Sequence, residues 1–487
     1  MPARRPLMAK TPFQLDERPL QEASSPRAGV LTVSRAFRSL GIPQLIDQHI
    51  PLRTRRRGYS EAQMIESALL LQVVGGDCPQ DMHLLAADQC LERGLGYQPP
   101  KATALREFLD RFHEPGIEQV RGEAPQQLSF IMPETSALQG LSSVQAGTVN
   151  RIASLYDCRG HGQRIATIDQ DATIIESHNR AAYRHYEGGR GYQPMLAVWA
   201  EADLVVADEF RDGNVPTGQA PVGCCRKAFA ALPNTVSERY FRGDSACYET
   251  ELLQWLSADE RAGEPGGRIG FAVSAVMSSQ LAECARKVDE EQWETFDTDP
   301  DGTKRQWAEL DFLPSQRSEH KDSRPLRYVG LRLLKPQGEL FADGSDREHF
   351  AVATNLDWDA AALLEWHRLK AGTVEHVHDE LKNGLAAGHM PSYRFAVNAA
   401  WVKLATLAYN ICSAIKELCF DFEERTARFK RFRLLLIHVA GRMNRNNCVM
   451  RLRLAASRDT PARFRSVWEV FDLPTQATAA QPVSGTG

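Results

Sequence analysis

The chain lacks the cysteine spacing of a metal ribbon or of a disulfide scaffold. Its ten cysteines fall singly apart from the neighbours Cys224 and Cys225, and no CxxC occurs, which argues against both a zinc ribbon and a disulfide framework. Long apolar runs are missing too. A membrane-spanning helix needs about 18 or more consecutive apolar residues, whereas the longest stretch here, AAWVKLATLAYNI, is shorter and carries a lysine. No hydrophobic leader follows MPARRPLMAK, so the expectation is a cytoplasmic protein with no membrane partner. There is also no HExxH. His376 and Glu380 have helical i,i+4 spacing but no second histidine, so the group His376, His378, Asp379 and Glu380 reads as an ion-paired surface of a helix and not as a zinc site.

What is present is a chain of 487 residues, 43% of them hydrophobic, enough for several packed domains. The net charge of −4 hides strong segregation, and segregation is what matters for binding a polyanion. One basic group is Arg53, Arg55, Arg56 and Arg57. Another runs from Arg425 through Arg431 and Arg433 to Arg465, with Asp459 as its only acid.

Residues 1–30 and 474–487 are rich in Pro, Gln, Ser, Thr or Ala without periodicity, so both ends are expected to be disordered. From Ser34 to about Pro115 the pattern is helical. SEAQMIESALLLQVV opens on Ser60 as an N-cap, with apolar positions recurring at helical spacing. KATALREFLDRF sets Thr103, Arg106, Glu107 and Arg111 opposite the stripe Leu105, Phe108, Leu109 and Phe112. A short helix with one polar face after a helical hairpin fits a helix-turn-helix reader of DNA, which gives Arg106 and Arg111 a place on that face. At about Gln163 the texture changes to short β-rich runs alternating with helical segments, the mark of an α/β sheet with covering helices. Three further strand-like runs between Ser279 and His349 read as a β-rich insertion. Trp293 and Trp307, in or near it, are candidates for stacking on an extruded base, although an ordinary packing role is the better reading for either.

Three acids stand in this frame. Asp171 lies in a strand, Asp244 lies where a strand ends and a helix is about to begin, and Glu375 lies on a helix. A buried carboxylate trio of this kind can hold two divalent ions about 3.5–4 Å apart, the arrangement that cleaves and joins phosphodiesters. Asp169 shares the strand face of Asp171 and competes for the first position. On the helix, Val374, Val377, Leu381 and Leu385 form the apolar stripe, and Lys382 falls two turns beyond Glu375, where it can hold a phosphate.

The strand DQDAT, the motif RGDSACYETELL, and TVEHVHDELKNGLAAGHMPS before a long apolar helix resemble bacterial insertion-sequence transposases of the DDE class. More narrowly they resemble the cut-and-paste group with a β-strand insertion between the second Asp and the Glu. The likeness spans about Gly162 to Arg453. It implies an α/β fold with an RNase H-like core, split into residues 121–280 and 356–395 around a β-rich insertion at 281–355. A helical DNA-binding domain at 31–120 precedes the core, and a helical basic region at 396–473 follows it. The resemblance makes Asp171, Asp244 and Glu375 the metal-binding triad for two Mg²⁺ ions, with Mn²⁺ as the substitute. Lys382 matches the second half of the group's Tyr-x2-Arg-x3-Glu-x6-Lys signature. The tyrosine position holds Arg368 and the arginine position Ala371, with His367 and Lys370 beside them. DNA contacts are thus expected from Lys382, Arg368, Lys370, the two basic groups and the 101–112 helix. The implied partner is double-stranded DNA, bound by a homodimer or larger synaptic assembly in the bacterial nucleoid. A catalytically silent DNA-binding descendant and a nuclease that does not join strands remain the alternatives.

Overall fold

The central runs are rich in Val, Ile, Thr and aromatic side chains, which suit a pleated and half-buried surface, and they pair into one sheet. The computed structural model describes residues 22–53, 57–123, 129–261, 265–314, 325–446, 449–455 and 460–472. Nine strands build this sheet: β1 (Ile165–Ala172), β2 (Met195–Trp199), β3 (Leu204–Glu209), β4 (Glu238–Gly243), β5 (Gly270–Ser274), β6 (Glu294–Thr298), β7 (Lys304–Leu310), β8 (Arg327–Leu334) and β9 (Arg347–Thr354). In space their order is β6-β7-β8-β9-β5-β4-β1-β2-β3. β4 runs parallel to both β1 and β5, while β2 is antiparallel to β1 and β3. Parallel neighbours need crossover connections, and the helices Val222–Ala230 and Thr250–Ser257 lie in those that lead into β4 and β5.

The segment 281–355 does contribute strands, but they continue the central sheet. β9 pairs with β5 through Val352↔Ser274, Ala353↔Val273 and Thr354↔Ala272. The Ala360–Arg368 helix covers this half, closing a small second core around Val329, Val352, Leu363 and Leu364.

Residues 31–120 are helical wherever they are regular. Ser60 caps the Glu61–Val74 helix reciprocally: its Oγ accepts from the Gln63 N–H at 3.1 Å, and Gln63 Oε1 accepts from the Ser60 N–H at 2.9 Å. These helices do not close a core of their own. One apolar cluster runs from Val30 to Phe471, and at its centre the Phe395–Cys419 helix is buried on every side from Phe395 to Lys416. A helix that is apolar all round belongs in an interior, so this element is a spine and not a surface facing DNA. Lys403, on that spine, is held between Asp208 at 2.9 Å and Glu134 at 2.8 Å.

Two expectations about the chain ends are corrected. Residues 22–30 are not part of a structureless tail, because Ser24–Ser25 pairs with the strand Ala440–Asn446. The 396–473 region is not helical throughout, because that strand and Val449–Ala455 form an antiparallel hairpin. The run of arginines masks a period of two, in which Met443 is buried while Arg451 and Arg453 are exposed. Residues 1–21 and 474–487 lie outside the described residues. Among the described residues no helix is long and apolar enough to cross a membrane.

One ion pair locks the middle of the sheet. Asp169 of β1 and Arg242 of β4 are register partners, and the guanidinium grips the carboxylate through Nε–Oδ1 at 2.6 Å and Nη2–Oδ2 at 2.8 Å. Thr373, on the Lys370–Asp379 helix, donates its hydroxyl to the same carboxylate, and Arg242 Nη1 donates to the Trp366 carbonyl oxygen at 2.5 Å. Asp169 is 0% exposed and Arg242 2%. Removing one partner strands a buried charge, so Arg242→Met should lower the unfolding free energy by about 3–5 kcal/mol. Urea denaturation measures this, and a loss under about 1 kcal/mol would put the pair among weak surface contacts.

Candidate active site

The three side chains of that tether each lie two residues before one of the three acids: Asp169 before Asp171, Arg242 before Asp244, Thr373 before Glu375. Strand residues i and i+2 share a face, so β1 presents Asp171 to the Lys370–Asp379 helix. Asp244 directly follows β4 and caps a short turn, its Oδ1 accepting from the Ala246 N–H at 3.0 Å. Beside it, His367 Nε2 lies 3.1 Å from the Gly243 carbonyl oxygen. Glu375 is exposed, on a helix anchored by buried Val374, Val377 and Leu381.

Asp171 is the centre of the cluster. Lys370 Nζ lies 4.0 Å and His378 Nε2 3.9 Å from its Oδ2. Burial, with repulsion from Asp244 and Glu375 added against the pull of Lys370, pushes the Asp171 carboxyl up from 3.8 to about 6. Burial, reinforced by Lys382 and Lys370, pushes His378 down to about 3, so its ring is neutral and carries one donor and one acceptor nitrogen.

Among the described residues no three His, Cys, Asp or Glu side chains are drawn into metal-ligating geometry. Ionised carboxylates repel one another when no cation lies between them, and here the Lys370 ammonium supplies the nearby compensating charge. The chemistry of the donors nevertheless fits divalent ions. Three oxygen-only anionic groups suit Mg²⁺ or Mn²⁺, and a carboxyl raised by acidic neighbours is one that a bound cation relieves.

The expected DNA contacts fall into three kinds. Lys382 sits in the turn Glu380–Gly384, which continues the Glu375 helix, and donates to Thr173 Oγ1 and the Ile174 carbonyl oxygen, both at 2.9 Å, just past Asp171. Arg368 reaches across to Asp297 of β6 at 2.9 Å, and Lys370 is buried. Arg57, Arg106 and Arg111 are exposed, while Arg53 pairs with Glu61 at 2.5 Å at the edge of a cleft of about 250 Å³ that Arg57 and Arg111 also line. Arg55 and Arg56 lie outside the described residues. Arg431 is exposed and reaches Glu424 at 3.4 Å. Arg433 has a different employment from the one expected. It donates to the carbonyl oxygens of Val73 at 2.7 Å, Gln72 at 3.0 Å and Gly384. Carbonyls in the last turn of a helix attract cations, so this arginine staples the Glu61–Val74 helix to the turn after Glu375.

Sequence reasoning misplaced His378. It is 6% exposed and lies on the apolar stripe, four residues after Val374 and three before Leu381, a spacing that could have shown it pointing inward. Trp293 is buried under the Arg332 guanidinium at 4.5 Å, which is a packing role. Phe296 and Phe350 instead line a cavity of about 630 Å³ that also borders Asp244, Arg305 and Arg368.

Compared with known proteins, residues 21–474 match the family model described as "Transposase DDE domain group 1". The chain belongs to this family of DDE transposases, and it is accordingly a DNA transposase of the kind that uses divalent metal ions. A solved structure described as a cryo-EM structure of the piggyBac transposase synaptic complex with hairpin DNA is similar over 84% of this chain and 80% of that one, at 10% identity and a TM-score of 0.39. A comparison with curated proteins finds no match.

The raised Asp171 carboxyl predicts a stability cost. A carboxyl whose folded value lies above its unfolded one favours folding only at low pH, and that contribution disappears as pH rises through about 6. Asp171→Asn should therefore stabilise the metal-free protein at pH 7.5 by about 1–3 kcal/mol while leaving it little changed near pH 4. Urea denaturation of both proteins in chelator at the two pH values checks this, and a substitution effect of the same size at both would contradict the electrostatic account.

Proposed function

We propose that this transposase carries Asp171, Asp244 and Glu375 as the ligands of two divalent ions, Mg²⁺ or Mn²⁺, and that it cuts the ends of an insertion sequence and joins them to target DNA. The observation that carries this reading is the electrostatic convergence of Asp244 and Glu375 on Asp171 from three separate elements that share one buried tether. The strand order β3-β2-β1-β4-β5, with β2 antiparallel, supports an RNase H-like core, with β6–β9 inserted between Asp244 and Glu375. Asp169, gripped on both oxygens by Arg242, is the poorer candidate for the first ligand. When bound, the ions would supply Lewis-acid charge to the attacking and leaving oxygens of the phosphodiester.

The remaining tasks fall to the chain's own side chains. Asp171, from the buried side, and Asp244, from the turn after β4, fix two corners of the site, and exposed Glu375 closes it from the helix. Lys382 and Arg368 flank this position and hold backbone phosphates of the DNA end as point charge and fork. The cavity beside Asp244 offers Phe296 and Phe350 to the face of an unstacked base. Initial binding is electrostatic and comes from elsewhere: Arg57, Arg106 and Arg111 on the N-terminal helices, and Arg445, Arg451 and Arg453 on the C-terminal hairpin, all of them exposed. Two ends joined to one target in a coordinated way call for two active sites at fixed separation, which a symmetric assembly on DNA supplies.

Asp244→Ala tests this division of labour on duplexes made from the inverted repeats flanking the gene. Gel shifts should match the unsubstituted protein, whereas strand cleavage in Mg²⁺ should fall below detection. Loss of binding and cleavage together in a folded variant would contradict it.

A further inference from the structure

We infer that His378 is a positioning residue for Asp171, donating a ring N–H to one carboxylate oxygen and so turning the other toward the bound cation. This rests on the reading that Asp171 is a metal ligand. The ring occupies a core position where neither nitrogen meets a partner in full hydrogen-bonding geometry, and the backbone of Asp171 approaches it as well as the carboxylate. Buried polar atoms without partners are destabilising and uncommon, and a leucine or phenylalanine at this point of the Val374–Val377–Leu381 stripe would pack without that cost. The Asp171 carboxylate lies beside the ring, its Oδ2 3.9 Å from Nε2. A shift of about 1 Å brings the two into hydrogen-bonding distance.

Asp171 leans on the Lys370 ammonium, 4.0 Å from the same Oδ2, and the backbone N–H of Ala172 also bears on its carboxylate. A cation held by Asp171, Asp244 and Glu375 would offset their mutual repulsion. The neutral imidazole would then donate to Oδ2 and hold the carboxylate from behind, leaving its other oxygen free to serve as a ligand. Partners that orient a ligating side chain from behind commonly change metal affinity by about 10–100-fold when removed. The geometry also explains how a histidine three residues after Glu375 serves the site without facing solvent: the helix that carries Glu375 to the cluster turns His378 underneath it.

Mn²⁺ binding to the purified chain, measured by isothermal titration calorimetry, tests the assignment independently of activity. His378→Phe keeps the bulk of the ring without its nitrogens and should weaken Mn²⁺ binding about 10-fold or more. His378→Gln places an amide N–H near the Nε2 position and should recover most of that loss. His378→Leu gives the same comparison if the phenyl ring fails to fold, and thermal melting confirms that each variant is native. Asp171→Ala serves as the reference and should abolish binding. If His378→Phe and His378→Leu bind Mn²⁺ as the unsubstituted chain does while Asp171→Ala does not, the positioning role is wrong and the metal site stands. An equal loss in the Gln, Phe and Leu variants would also overturn it, since a packing defect and not the donor would be responsible. Undiminished binding by Asp171→Ala would remove the metal site itself and the inference with it.

Discussion

The buried pair of Asp169 and Arg242 is the interaction on which the site depends. It joins two parallel strands that are 73 residues apart in the chain, and through Thr373 and the Trp366 carbonyl it joins them to the helices that follow the inserted strands. Because a strand repeats every two residues, fixing Asp169 fixes the side on which Asp171 emerges. Fixing Arg242 places the residue after the end of β4, which is Asp244. Fixing Thr373 sets the rotation of the helix that carries Glu375. Without the tether, the strand that carries Asp171, the turn that carries Asp244 and the helix that carries Glu375 would lose the one buried cluster that joins all three.

That arrangement concentrates electrostatic cost around Asp171. The carboxyl of Asp171 is raised by burial and by its acidic neighbours, Lys370 offsets part of the repulsion, and His378 is buried with neither nitrogen in full hydrogen-bonding geometry. Stability lost at a functional cluster is recovered elsewhere. The recovery here lies in the long buried Phe395–Cys419 helix, in the Lys403 ion pairs behind it, and in Arg433, which ties the end of an N-terminal helix to the turn after Glu375. The N-terminal helices therefore share one core with the central sheet, which fixes their distance from the three acids.

Much of this was legible in the sequence because it is local. The alternation around Asp171, the strand-to-turn break at Asp244, the Ser60 cap and the stripe beside Glu375 each need only a few neighbouring residues to be read. What was not legible is non-local. The pairing of Asp169 with Arg242 depends on the β1–β4 register, and so a residue weighed as a rival ligand proved to be the anchor. Strands β6–β9 were visible as strands, but their continuation of the main sheet depends on three residue pairs between β9 and β5. The arginine-rich hairpin after Val439 was hidden because charge dominated a weak alternation. Arg433 was read by its charge alone, although two of the carbonyls it serves lie about 360 residues away.

The central claim is that these three acids form one metal site. Anomalous diffraction from crystals of the chain soaked in Mn²⁺ tests it most directly. The account predicts two peaks about 3.5–4 Å apart, with Asp171 contributing to both and Asp244 and Glu375 each bound to at least one. Peaks held by other residues, or Glu375 turned away from a metal-loaded Asp171, would contradict it.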